Sequence, residues 1–236
     1  MHSPFVYDLV TKCFYNKQDY PEYAVLRDYR KNLLESNDTL EVTDYGAGSR
    51  VFKSNTRSIA AIARNAGISK KRQQLLFRLA RYFKPALSLE LGTSLGLATV
   101  ALSIGNTHGR VITLEGCPNT AAKAQELFSE FQLEKIQLKT TTFETFFENP
   151  SIGYDLVFID GNHDKTNTLS YFDLLRKSAH NDTVLIFDDI YWSPEMTEAW
   201  NEIIAHPEVT VSIDTYQWGL VFFRKEQEKE HFRIRV

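Results

Sequence analysis

From residue 86 onward, short apolar runs alternate with longer stretches whose apolar residues recur every three or four positions, and few folds accept that rhythm. Residues 86–91, 110–114, 135–140, 154–159 and 183–187 read as strands, the fourth of them almost unbroken in its apolar character. Helices are expected over 95–104, from Pro118 onward, over 167–177 and over 194–205. Proline suits a first helical position, and the helix opened by Pro118 would bury Ala124, Leu127, Phe128 and Phe131 on one face. Strands separated by helices imply a parallel sheet covered on both faces. The last two strands, 209–214 and 217–223, are separated only by Thr215 and Tyr216. A parallel crossover needs a dozen or more residues, so these two form a hairpin. The expected fold is α/β, Rossmann-like: a seven-stranded, mostly parallel sheet with a C-terminal antiparallel hairpin.

The first 69 residues follow a different pattern. Residues 1–37, rich in Tyr, Lys and Asp, read as short helices, and 39–43 as a β-prone run before the loop Asp44-Tyr45-Gly46-Ala47-Gly48-Ser49. A short helix over 58–65 stops at Gly67, and Ser69 caps a second one through Phe83, where Leu76, Leu79, Ala80 and Phe83 share a face. Pro85 ends it. The expected division is an N-terminal helical extension over 1–69, with 44–49 as a lid, and a ligand-binding domain over 70–236. Cys13 and Cys117 stand far apart, which argues against a disulfide framework and for a reducing compartment. Neither a signal-like N-terminus nor an apolar run of about 18 residues is present, so a soluble cytoplasmic protein without a membrane partner is expected. The net charge of −3 hides ten basic residues and no acid between Arg50 and Lys84; the remainder balances to 17 − 30 = −13. Such a segment is either a surface for an anionic partner, nucleic acid included, or a basic arm docked on an acidic domain.

Ligands of such sheets lie beyond the carboxyl ends of the strands. The first strand of the alternating region ends in Leu89-Glu90-Leu91-Gly92-Thr93-Ser94-Leu95-Gly96. Glycine at 92 permits a tight turn and close approach of a ligand, and Gly96 lets the next helix pack closely. A dinucleotide fingerprint would place glycines at 92, 94 and 97, where this chain has Gly, Ser and Leu. The second strand ends in Glu115, whose carboxylate can accept from both hydroxyls of a ribose; the plainer alternative is a solvated acid.

The spacing Glu90-x-Gly92-x-x-x-Gly96 resembles the first motif of class I S-adenosylmethionine-dependent methyltransferases, and the resemblance covers roughly residues 70–224. It implies that Glu90, Gly92, Ser94 and Gly96 hold the amino-acid end of S-adenosylmethionine, Glu115 the ribose, and Thr142 and Phe143 the adenine. Asp44–Gly48 matches a similar acidic, glycine-rich motif, but no strand ending in an acid follows it. At the reactive end the chain is similar to the catechol-type O-methyltransferases. That family holds Mg²⁺ with an acid after the fourth strand and an Asp-Asn pair after the fifth. Asp160 and Asp188 match the acids, and Asp189 stands where the family has Asn. His163 occupies the position of the family's catalytic lysine and can serve as a base. The implied set is His163 and Asp160 for catalysis, Asp160 also for the cofactor, and Asp160, Asp188 and Asp189 for a divalent cation. Each has a plainer reading: Asp160 as a helix cap, Asp188 and Asp189 as strand terminators, His163 as a turn residue. Tyr191 and Trp192 either line an acceptor pocket or pack inside.

The leading expectation is O-methylation of a small-molecule hydroxyl. The alternatives are methylation of RNA or protein through residues 50–84, an NAD-linked oxidoreductase, and a cofactor-binding module without activity. A homodimer is compatible with all of them.

Overall fold

The computed structural model describes residues 3–45, 54–148 and 153–236. Residues 46–49 of the expected lid, and Arg50 and Lys53 of the basic stretch, lie outside them. The chain opens with α1 (Pro4–Leu9), which runs on into a π-turn at Val10–Phe14, followed by α2 (Tyr23–Glu35). A small antiparallel pair, β1 (Thr39–Glu41) and β2 (Thr56–Ser58), precedes α3 (Ile59–Asn65) and α4 (Lys70–Phe83). Ser58 and Ser69 start these two helices, each hydroxyl accepting a backbone N–H three residues on.

The alternating region then runs β3 (Leu87–Leu91), α5 (Leu97–Gly105), β4 (Arg110–Glu115), α6 (Pro118–Glu130), β5 (Ile136–Thr140), α7 (Phe143–Phe147), β6 (Leu156–Ile159), α8 (Lys165–Arg176), β7 (Val184–Phe187) and α9 (Pro194–Ala205). It closes with β8 (Val211–Asp214), β9 (Gly219–Phe222) and β10 (Glu230–Arg233). The sheet order is β10-β8-β9-β7-β6-β3-β4-β5, and β9 alone runs against its neighbours.

The sheet therefore has eight strands, not seven. The extra strand, β10, is the polar run Glu-His-Phe-Arg, alternating between half-buried and exposed at the sheet edge, so it shows no apolar signature. The hairpin is present, but its link is 215–218 rather than two residues. Thr215 and Trp218 bond each other across it, and Tyr216 takes the left-handed conformation at φ 70°.

Alternate residues of each central strand face opposite layers. Leu156 and Phe158 of β6 join the cluster holding Leu76 and Phe77 of α4, Val100 of α5 and Phe128 of α6. Val157 and Ile159 join Tyr171 and Phe172 of α8 and Trp200 of α9 on the other side. Val6, Leu9, Tyr29 and Leu33 belong to the first cluster, so the N-terminal helices share the core of the sheet. The buried Tyr29 hydroxyl donates to the Leu95 carbonyl at 2.9 Å, tying α2 to the turn after β3.

Four arginines of the basic stretch are engaged inside the protein. Arg57 pairs with Asp44, Arg72 with Asp188 and Arg81 with Glu22. Arg78 donates to the carbonyls of Cys13 and Phe14 and to the Tyr23 hydroxyl. Arg78 and Arg81 thus hold α4 to the N-terminal segment, and Arg72 holds it to the tip of β7.

Candidate functional site

Strand order reverses between β3 and β6: β4 and β5 lie on one side, β7 on the other. The two tips at that switch point carry Gly92 and Asp160. They pass so closely that a Cβ on Gly92, whose φ is +102°, would fall 2.1 Å from the Asp160 carbonyl oxygen. Ser94 and Gly96 are also left-handed, at φ 47° and 80°. Gly96 owes its place less to packing against a strand than to α6 and α2, since a Cβ there would meet the Phe128 ring at 2.5 Å and the Tyr29 hydroxyl at 2.7 Å.

The N–H groups of this turn are largely engaged within the protein. Gly92 and Thr93 donate to Leu114 O, Gly96 to Thr93 O, and Ser94 to Glu115 Oε2 at 2.8 Å. A dinucleotide turn keeps such donors for pyrophosphate.

A cavity of about 250 Å³ opens against the turn, lined by Gly92, Ser94, Glu115, Phe143, His163 and Trp192 among others. Glu115 projects from the end of β4, and its Oε1 accepts from Cys117 N at 2.9 Å. Burial raises its pKa and the backbone donors at Cys117 and Ser94 pull it back, leaving it above the ordinary value. Phe143 begins α7 and lies across Gly161, where a Cβ would meet the ring at 2.7 Å. Thr142 caps that helix through its hydroxyl. Glu90 stands behind the turn, fully buried, with Oε2 accepting from Thr99 and Thr113 at 2.5 Å each. Burial pushes its carboxyl up to about 8, against the pull of the Thr113 and Thr99 hydroxyls.

Residues from outside the alternating region complete the wall: Asp44, Tyr45, Arg57 and Ile62. The Tyr45 ring covers Gly116, at 2.8 Å from where a Cβ would sit. The acidic, glycine-rich loop was their signal in the sequence, but nothing local showed which strand tip it would cover.

At the reactive end, Asn162, His163 and Asp189 all take positive φ, at 64°, 38° and 51°. Non-glycine residues persist there only where surrounding contacts hold them. His163 Nε2 lies 3.5 Å from Asp160 Oδ1, and its ring is 6.0 Å from that of Trp192. Burial pulls the imidazole pKa down, but the Asp160 bond and the charges of Asp160, Asp188 and Asp189 outweigh it and raise the pKa. Tyr191 turns away from the cavity to bond Asp214.

The three acids do not fit a divalent cation. Arg72 Nη1 stands 3.0 and 3.3 Å from the two oxygens of Asp188, and Asp188 Oδ1 also accepts from Asp189 N at 2.8 Å. Among the described residues no group of three or more His, Cys, Asp or Glu is arranged to hold a metal. Asp188 is 5% exposed; burial and then Asp160 and Asp189 push its carboxyl up, while Arg72 and His163 pull it down. A guanidinium from the basic stretch thus meets the charge expected to call for a metal.

Residues 89–190 match the model of a family described as a methyltransferase domain. Solved structures share the fold over nearly the whole chain. An SAH-bound methyltransferase of Podospora anserina has 14% identity and a TM-score of 0.66, covering 95% of this chain and 97% of that one. A Bacillus cereus O-methyltransferase in complex with SAH has 18% identity and a TM-score of 0.60, covering 92% and 96%. An O-methyltransferase of Streptomyces achromogenes, involved in tomaymycin synthesis and in complex with SAM, has 15% identity and a TM-score of 0.61, covering 93% and 95%. No curated protein matches the chain by sequence.

Proposed function

We infer that this chain, whose residues 89–190 match a methyltransferase domain, uses S-adenosylmethionine and methylates a hydroxyl oxygen of a small molecule. One observation supports this over a dinucleotide enzyme. The donors of the turn at Gly92–Gly96 are mostly taken inside the protein, while Glu115 stands in the cavity wall with an acid's capacity to accept further bonds. A ligand with ribose hydroxyls and no phosphate meets that surface. The O-methyltransferase neighbours support oxygen as the receiving atom.

In this reading Glu115 holds the ribose, Gly92 and Ser94 give the amino-acid end its room, and Phe143 faces the adenine. S-adenosylmethionine supplies a methyl group on a positively charged sulfur, which makes that carbon electrophilic. His163 is the base. Asp160 faces Nε2 and favours the tautomer protonated there, which leaves Nδ1 free to take the acceptor's hydroxyl proton. With that cofactor bound, the oxygen would bond to the methyl carbon as His163 takes its proton, and the carbon–sulfur pair would stay on sulfur. Trp192 stands beside His163 in the cavity wall, with its ring 6.0 Å from the imidazole. No step needs a metal.

Calorimetry with S-adenosylhomocysteine and NAD tests the cofactor. The protein should bind the former and not the latter; the reverse would overturn the reading. Glu115→Gln keeps the shape but removes the charge, and should weaken S-adenosylhomocysteine by about 1.5–3 kcal/mol, roughly 10- to 150-fold. An unchanged affinity in the folded variant would remove Glu115 from the site.

The pH profile tests the base. His163 works when neutral, so activity should rise with pH through a midpoint above the ordinary histidine value, because the neighbouring acids raise it. Asp160→Asn removes the nearest of those acids and should move the rise to lower pH. A midpoint that stays put would show that another group controls it.

A further inference from the structure

A second cavity is larger than the one described above. It measures about 630 Å³ and opens beside the N-terminal turn of α4, where Lys71, Arg72, Arg78 and Arg235 line it together with Phe14 and Tyr216. Among the described residues that line it there is no acidic side chain. Four cations converge here in a chain whose net charge is −3.

Their engagements differ in a telling way. Arg78 is fixed by the carbonyls of Cys13 and Phe14 and the Tyr23 hydroxyl, none of which is charged. The Arg235 guanidinium lies 5.7 Å over the Tyr216 ring, and neither it nor Lys71 has a carboxylate partner among the described residues. Arg72 lies between this cavity and the reactive end, since its side chain lines the cavity while Nη1 reaches Asp188 at the tip of β7. Its Nε is buried and has no hydrogen-bond partner.

We propose that the second cavity holds an anionic group, a carboxylate or a phosphate, of the methyl acceptor, with Arg72 linking that group to the reactive end. This rests on the methyltransferase reading and names the acceptor's class: an apolar body that packs on Phe14 and Tyr216 and carries negative charge. Planar guanidinium groups suit such oxyanions because they donate in pairs. Arg57, Arg72, Arg78 and Arg81 are each bound within the fold, which leaves fewer of the basic residues to follow a nucleic-acid backbone.

The test uses the full chain at constant ionic strength, following its thermal midpoint against inorganic phosphate, benzoate and benzyl alcohol. A saturable rise is expected with phosphate or benzoate and none with benzyl alcohol; which anion responds identifies the group. In Lys71→Ala/Arg235→Ala the half-saturating concentration should rise at least about tenfold, the loss of roughly 1.4 kcal/mol. A non-saturating response, no response, or an equal response in the variant would overturn the proposal. So would displacement of bound benzoate by a short single-stranded oligonucleotide at lower concentration than by phosphate, since that assigns the cavity to nucleic acid. S-adenosylhomocysteine binding is measured on both proteins. Its absence from the wild type sinks the cofactor reading, while its presence without an anion response sinks this inference alone.

Discussion

His163→Ala is expected to lower kcat by about 10²- to 10⁴-fold, the range general-base catalysis supplies, while S-adenosylhomocysteine still binds. The reason lies in the placement of the ring. It sits in the cavity wall beside Trp192 with its Nε2 turned toward Asp160, and the proposed mechanism gives its other nitrogen to the acceptor. Loss of a base slows the proton transfer without removing any group that grips the ribose. Added imidazole should restore part of the rate in the variant, as a small base diffusing into the vacated space. Rescue would not follow if the ring only filled volume. Full turnover by His163→Ala would remove it from the mechanism.

The largest effect on stability is expected from Arg72→Ala. Its guanidinium stands against a carboxylate that is almost wholly buried, and removal of one partner from such a pair leaves an uncompensated charge. A loss of about 3–5 kcal/mol at neutral pH is expected, read as a lower urea midpoint at unchanged slope. The Asp188 carboxyl is already pushed upward by burial and by Asp160 and Asp189. Without Arg72 it takes up a proton more readily, so the gap between variant and wild type should narrow as pH falls. Asp188→Asn in the Arg72→Ala background removes the stranded charge and should restore part of the loss. Equal midpoints for Arg72→Ala and wild type would mean that the pair contributes nothing to the fold.

The two predictions differ in how visible their residues were beforehand. His163 follows Asp160 by three positions at the end of an apolar strand, so a local reading finds it. Arg72 meets Asp188 across 116 positions, and nothing near either one announces the other. Glu90, marked for the cofactor by its spacing from Gly92 and Gly96, shows the same limit in its partners: the hydroxyls it accepts from, Thr99 and Thr113, lie 9 and 23 positions on.

The strand and helix alternation, the turn at Gly92, the acid ending β4 and the closing hairpin were decided by local pattern. Apolar period and turn chemistry act over a few residues, and a chain that follows them folds this way almost wherever its other parts go. Tertiary structure alone decided the eighth strand, the cover of Tyr45 over Gly116 and the guanidinium among the carboxylates. β10 pairs through its backbone with β8, and backbone pairing places no demand on side-chain pattern at a solvated edge. Charges separated by a hundred residues or more meet only once the sheet has brought their elements together, so their balance is a property of the folded chain.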